Sequence, residues 1–130
     1  METTPGTALT DEGLRLLKAG QVDQAIEALE KVLQADSDDA KAHMFLGIAY
    51  NQKGDRLRAI HHLEESVRLE ETARSYYNLG LMYESAKRVD EAIREYRMAI
   101  ELDPSYAPAH DALKRLHDQF EAAHAKPASE

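Results

Sequence analysis

The chain contains no cysteine. Disulfides, thiolate metal sites and a cysteine nucleophile are therefore excluded. Nor does any stretch approach the ~18 consecutive apolar residues that a membrane-spanning helix needs, so no membrane insertion is expected. Residues Met1 to Thr10 lack the basic-then-apolar layout of a secretory leader, and the default expectation is a cytoplasmic protein. An excess of positive charge is also missing: acids outnumber bases 24 to 16, the formal net charge is −8, and the two signs are interspersed. A protein that grips a duplex or an anionic surface needs clustered Lys and Arg, so no nucleic-acid partner is expected. There is no Gly-rich phosphate loop either, because the glycines stand alone.

What is present is a globular balance, 43% hydrophobic and 31% charged over 130 residues, the size of one ordinary domain. It is also periodic. Gly13, Gly47 and Gly80 are 34 and then 33 residues apart. The same two steps relate Ala25, Ala59 and Ala92; Ile26, Ile60 and Ile93; Leu29, Leu63 and Tyr96; and Leu33, Val67 and Ile100. Five columns stepping together define three copies of one structural unit.

Each unit reads as two amphipathic helices. In the third, Tyr76, Leu79 and Tyr83, then Ile93, Tyr96 and Ile100, recur at three and four residues. Gly20 and Gly54 mark the turn inside units one and two, and Lys87 holds that place in unit three. Units are divided by Asp36-Ser37-Asp38-Asp39, Glu70-Glu71-Thr72 and Asp103-Pro104-Ser105, rich in N-caps and helix stops. The spacing predicts seven helices, near 7–19, 22–35, 40–53, 56–69, 73–86, 89–102 and 107–122. The last, with Leu113, Leu116 and Phe120 on one side, reads as a cap. Residues 1–5 and 123–130 read as flexible tails around a domain at 6–122, with units near 6–39, 40–72 and 73–106.

These columns resemble the tetratricopeptide repeat, whose signature is an aromatic, Leu-Gly, Tyr, Ala, an aromatic and Pro at fixed offsets. Unit three supplies Tyr76, Leu79-Gly80, Tyr83, Ala92, Tyr96 and Pro104. Unit two supplies His43, Leu46-Gly47, Tyr50, Ala59 and Leu63 and lacks the Pro; unit one is weaker, with Leu9, Gly13, Leu16, Ala25 and Leu29. Unit two is one residue short, the deletion lying between Leu69 and Ala73. The resemblance implies an all-α, right-handed α-solenoid: three helix-turn-helix repeats and a capping helix.

It also implies a concave face lined by the first helix of each unit, which in this family commonly holds a peptide or helix of a partner. The matching positions are Thr10, Leu14, Leu17 and Lys18 in unit one; Lys41, Met44, Ile48, Asn51 and Gln52 in unit two; and Arg74, Tyr77, Leu81, Glu84 and Ser85 in unit three. The last helix adds Asp111 and Arg115. Leu14, Leu17, Met44, Ile48, Tyr77 and Leu81 are expected to form an open apolar strip flanked by Lys18, Lys41, Arg74 and Arg115. A partner with an apolar stripe and an acidic flank suits it. Some family members clamp a C-terminal carboxylate with Lys, Asn, Asn, Lys and Arg. Here those positions hold Thr10, Leu14, Phe45, Arg74 and Asn78, so that clamp is absent.

No catalytic, cofactor or metal site is expected. His61 and His62 with Glu65 have no third ligand and read as a solvated helix face. His43 and His110 share the column of Tyr76, and His117 that of Tyr83, as packing residues with a polar tip. The pairs Asp38-Asp39, Glu64-Glu65 and Glu70-Glu71 fall on exposed faces or in turns, where carboxylates keep ordinary solvation. The functional expectation is a non-catalytic protein-interaction module. The alternative is a homo-oligomeric scaffold joined through the strip or through the terminal helices near Phe120.

Overall fold

The computed structural model describes residues 5–125, all helix and turn. The seven helices are α1 (Pro5–Lys18), α2 (Val22–Ala35), α3 (Ala40–Lys53), α4 (Arg56–Leu69), α5 (Ala73–Ser85), α6 (Val89–Leu102) and α7 (Ala107–Ala123). They stand where the hydrophobic spacing puts them. Pro5 opens α1 two residues earlier than expected, and Ala123, assigned to a tail, closes α7. The rest of the expected tails, 1–4 and 126–130, lies outside the described residues.

The caps follow from the sequence. Asp39 and Asp55 accept from the backbone N–H three residues on, opening α3 and α4. At α5, Thr72 and Ser75 bond reciprocally in a capping box. The turn inside each unit needs one left-handed residue, and Gly20 (φ 78°), Gly54 (φ 90°) and Lys87 (φ 65°) supply it at the same repeat position. The residue after each donates back to the preceding helix: Gln21 to Leu16 O, Asp55 to Tyr50 O and Arg88 to Tyr83 O, at 2.9, 2.8 and 2.8 Å.

Helices pair within units, α1 with α2, α3 with α4 and α5 with α6, and the pairs stack in chain order, with α7 covering the end. The glycine column makes the pairing possible. A Cβ built on Gly47 would lie 2.4 Å from Leu63 Cγ, and one on Gly80 2.5 Å from Tyr96 Cε1. Leu29, Leu63 and Tyr96, the side chains that fill those gaps, are fully buried. At the fourth place in the column stands Lys114, its ammonium 2.9 Å from Asp118, so α7 lacks the groove that receives a second helix.

Junctions between units repeat as well. Tyr50 donates to Glu30 (3.0 Å) and Tyr83 to Glu64 (2.9 Å), each pair crossing from one unit to the next. Glu64, expected on an exposed face, is exposed and receives the tyrosine hydroxyl there; Glu30 is half-buried. Burial and the facing carboxylate together raise the pKa of both phenols. At the third junction the same two columns hold Arg97 and His117, which make no such bond. A second latch joins α3, α5 and α7 each to the connection before it. His43 Nε2 meets Ser37 O at 2.9 Å, and His110 Nε2 meets Pro104 O at 2.7 Å. Where the connection is a residue shorter, Tyr76 in that column reaches the Glu71 carboxylate instead, at 2.7 Å.

Candidate interaction groove

The positions expected to line the concave face fall on the first helices α1, α3, α5 and α7. Leu14, Ile48, Tyr77 and Leu81 are half-buried and packed on the core, leaving part of each side chain to solvent. Tyr77 leans on Tyr96 and Tyr106, with ring centroids 5.7 and 5.8 Å apart. Lys18, Lys41, Asn51 and Arg74 are exposed. The Arg74 guanidinium lies 5.9 Å from the centre of the Phe45 ring.

Two members of the strip are not open. Leu17 and Met44 are each only 6% exposed and belong to the core. For Met44 the reason is position: α3 contacts α1, α2, α4 and α5, and residues 42–47 are all buried. Leu17 is covered in the same way, where α1 meets α2 and α3. Thr10 is also buried, at 4% exposure. Of the six strip residues, Leu14, Ile48, Tyr77 and Leu81 are left partly open to solvent.

Glu84 and Arg115 differ from expectation in another way. Glu84 accepts from Tyr96 Oη at 2.8 Å and from Arg115 Nη2 at 2.9 Å, tying α5 to α6 and α7. The Arg115 hydrogen bond holds its carboxyl below the usual range. These groups brace one end of the groove. Lys18, Lys41 and Arg74 form no ion pair with any described residue, so the rim cations stay unpaired although the chain is acidic.

The histidines form a feature of their own. His61 is exposed, as expected, but His62 is not on a solvated face. Its Nδ1 lies 3.0 Å from Nδ1 of His43, and its ring stacks on Tyr50 at 5.5 Å. Burial, then the facing His43, lower its pKa to about 4. Among the described residues no group of three His, Cys, Asp or Glu is placed to hold a metal ion. Among the acidic pairs, the Glu65 carboxyl is held below its usual range by the hydrogen bond from Arg68. Burial raises the pKa of Glu95. Asn78, noted in the sequence only as a departure from the clamp, has its Nδ2 buried with no hydrogen-bond partner among the described residues. Its column supplied no signal.

Helix pairs that stack around a shared small-residue column, with a first-helix groove, define a helical-repeat solenoid. The chain belongs to the tetratricopeptide repeat family, whose pattern matches residues 10–60 and again 73–106. Superkiller complex protein 3 of Mus musculus is 31% identical over 106 residues, which is 81% of this chain and 7% of that protein. The chain thus spans a small fraction of that relative. Among solved structures, the Sgt2 TPR domain from Aspergillus fumigatus superposes with a TM-score of 0.87 at 18% identity, covering 98% of this chain and 88% of that one. The first TPR of Spaghetti (RPAP3), bound to the HSP90 peptide SRMEEVD, gives 0.84 at 21%, covering 92% and 96%. The crystal structure of MamA gives 0.74 at 32%, covering 78% and 60%. No described helix is long and apolar enough to cross a membrane.

Proposed function

We propose that the domain is a non-catalytic interaction module that holds a peptide or helix of a partner protein along its concave face. The observation that carries this reading is the half-buried strip of Leu14, Ile48, Tyr77 and Leu81 beside the unpaired cations Lys18, Lys41 and Arg74. Burying a fully exposed side chain of this kind contributes roughly 1.5–3 kcal/mol before the costs of association, and covering these half-buried ones contributes a part of that. The fold supports the same reading, since the RPAP3 domain is seen with a peptide bound. A chain-terminal carboxylate is not the favoured ligand, because Thr10, Leu14, Phe45 and Asn78 stand where the carboxylate clamp of some family members has Lys, Asn, Asn and Arg.

The test compares the domain with an Ile48→Glu, Leu81→Glu variant for capture of partners from a lysate of the source cell, with circular dichroism on both. Met44 is unsuitable for this purpose, because a charge at a buried site unfolds the protein. Loss of a partner with helicity unchanged is the expected result. Equal capture by both proteins would move the contact off the strip. Recovery of the domain's own chain alone, with mass rising with concentration, would favour the homo-oligomeric scaffold.

A further inference from the structure

Beside the strip, a cavity of about 210 Å3 opens between the first turns of α3 and α5, against the short connection 70–72. Its size is below the ~300 Å3 at which small-molecule sites begin, so it suits one side chain rather than a cofactor. Ala40 and Met44 supply apolar wall. Buried Ser66 stands where unit one has the larger Val32, which leaves room at this junction. The hydroxyls in the lining are committed. Ser66 donates to Ala40 O at 3.0 Å, while Ser75 and Thr72 bond each other and the backbone. None is left over to recognise a polar ligand.

The charges at the mouth are arranged differently. Lys41 and Arg74 both line the cavity, each the second residue of its helix. A cation there is opposed by the positive end of the helix dipole. Neither has an ion-pair partner among the described residues to offset that cost. The one acid in the lining is Glu70, leaving the rim net positive.

We infer that this cavity anchors the partner segment through an aliphatic side chain, and that a carboxylate side chain within a residue or two of it sits between Lys41 and Arg74. The inference rests on the groove reading and names the ligand chemistry at one place in it. The carboxylate is a side chain's rather than a chain terminus, because the amide donors that clamp a terminus are missing at Leu14 and Phe45.

The experiment is an NMR titration of the 15N-labelled domain with the blocked peptide acetyl-Gly-Leu-Glu-Gly-amide. Its analogues carry Ser for Leu or Gln for Glu, and acetyl-Gly-Leu free acid is titrated alongside. The backbone amides of Lys41, Met44, Thr72, Arg74 and Ser75 are expected to shift and saturate. Affinity should fall about tenfold with the Gln analogue, the loss of one charge-assisted contact, and about tenfold with the Ser analogue, the loss of one buried aliphatic side chain. The Lys41→Glu, Arg74→Glu domain, which replaces attraction by repulsion, should lose more than that. Both substituted residues are exposed, so the variant keeps its fold, and its spectrum verifies this. Absence of shifts at those residues, or shifts indifferent to the Gln analogue and to the variant, would overturn the subsite. So would tighter binding of the free acid than of the blocked peptide. Response of Tyr77 and Leu81 alone would overturn the subsite and leave the groove reading standing.

Discussion

Single positions in this fold have been given opposite tasks by the same repeat. Gly54 and Lys87 occupy one column and one left-handed conformation, but only glycine adopts it without cost. Lys87→Gly should therefore raise stability, by about 1 kcal/mol, in urea unfolding; a loss would mean that the Lys87 side chain has a role no contact reveals. Gly47→Ala works the other way. The new methyl would meet fully buried Leu63, and overpacking of this kind costs about 1–3 kcal/mol. His62 sets a pH dependence. Its folded pKa, about 4, lies below its unfolded value, so the unfolded chain binds more protons between those two values. Stability should hold above about pH 6.5 and fall as the pH drops toward 4, by an amount on the order of 1–3 kcal/mol. His62→Asn should flatten that slope in urea titrations at stepped pH. The glycine and turn columns were legible in the sequence because sterics fix them locally. The His43–His62 contact was not, since it depends on how α3 lies on α4, and no residue pattern announces that register.

Between elements, the repeated tyrosine–carboxylate bonds act as junction ties. Tyr50→Phe and Tyr83→Phe each remove one hydroxyl while keeping the ring, and each should cost about 1 kcal/mol. They cross different junctions, so the double variant should lose the sum within a few tenths. A strongly non-additive result would show that the two junctions communicate. The amphipathic faces and the pairing of helices followed from spacing alone. The exposure of the groove residues did not, and Leu17 and Met44 show why. Met44 lies on α3, which has helices on both flanks, and Leu17 lies where α1 meets α2 and α3. How far a neighbouring helix covers a position is set by the stacking and not by its column, since Asn51, in the column of Leu17, is exposed. The pairing of Glu84 with Arg115 was hidden for a related reason: the partners are far apart in sequence and meet only once α7 has docked.

For the molecule as a whole, stability is a sum over units and their junctions. The last junction is the weakest by construction, with Arg97 and His117 in place of a bonded pair and α7 covered on one side only. Native-state hydrogen exchange should accordingly find the α7 amides opening before those of α3 and α4. Equal protection throughout would mean that the stack opens as one unit. The number of units was plain from the sequence, and the cap was legible too, because a helix with one apolar side needs one neighbour. What α7 also carries, Lys114 in the glycine column, bears on how such an array could grow by gene duplication or by engineering. A copy of unit two or three inserted ahead of α7 meets surfaces already shaped for it. A second helix placed directly after α7 finds an ammonium where its closest approach should be, so lengthening the array at that end requires first replacing one residue.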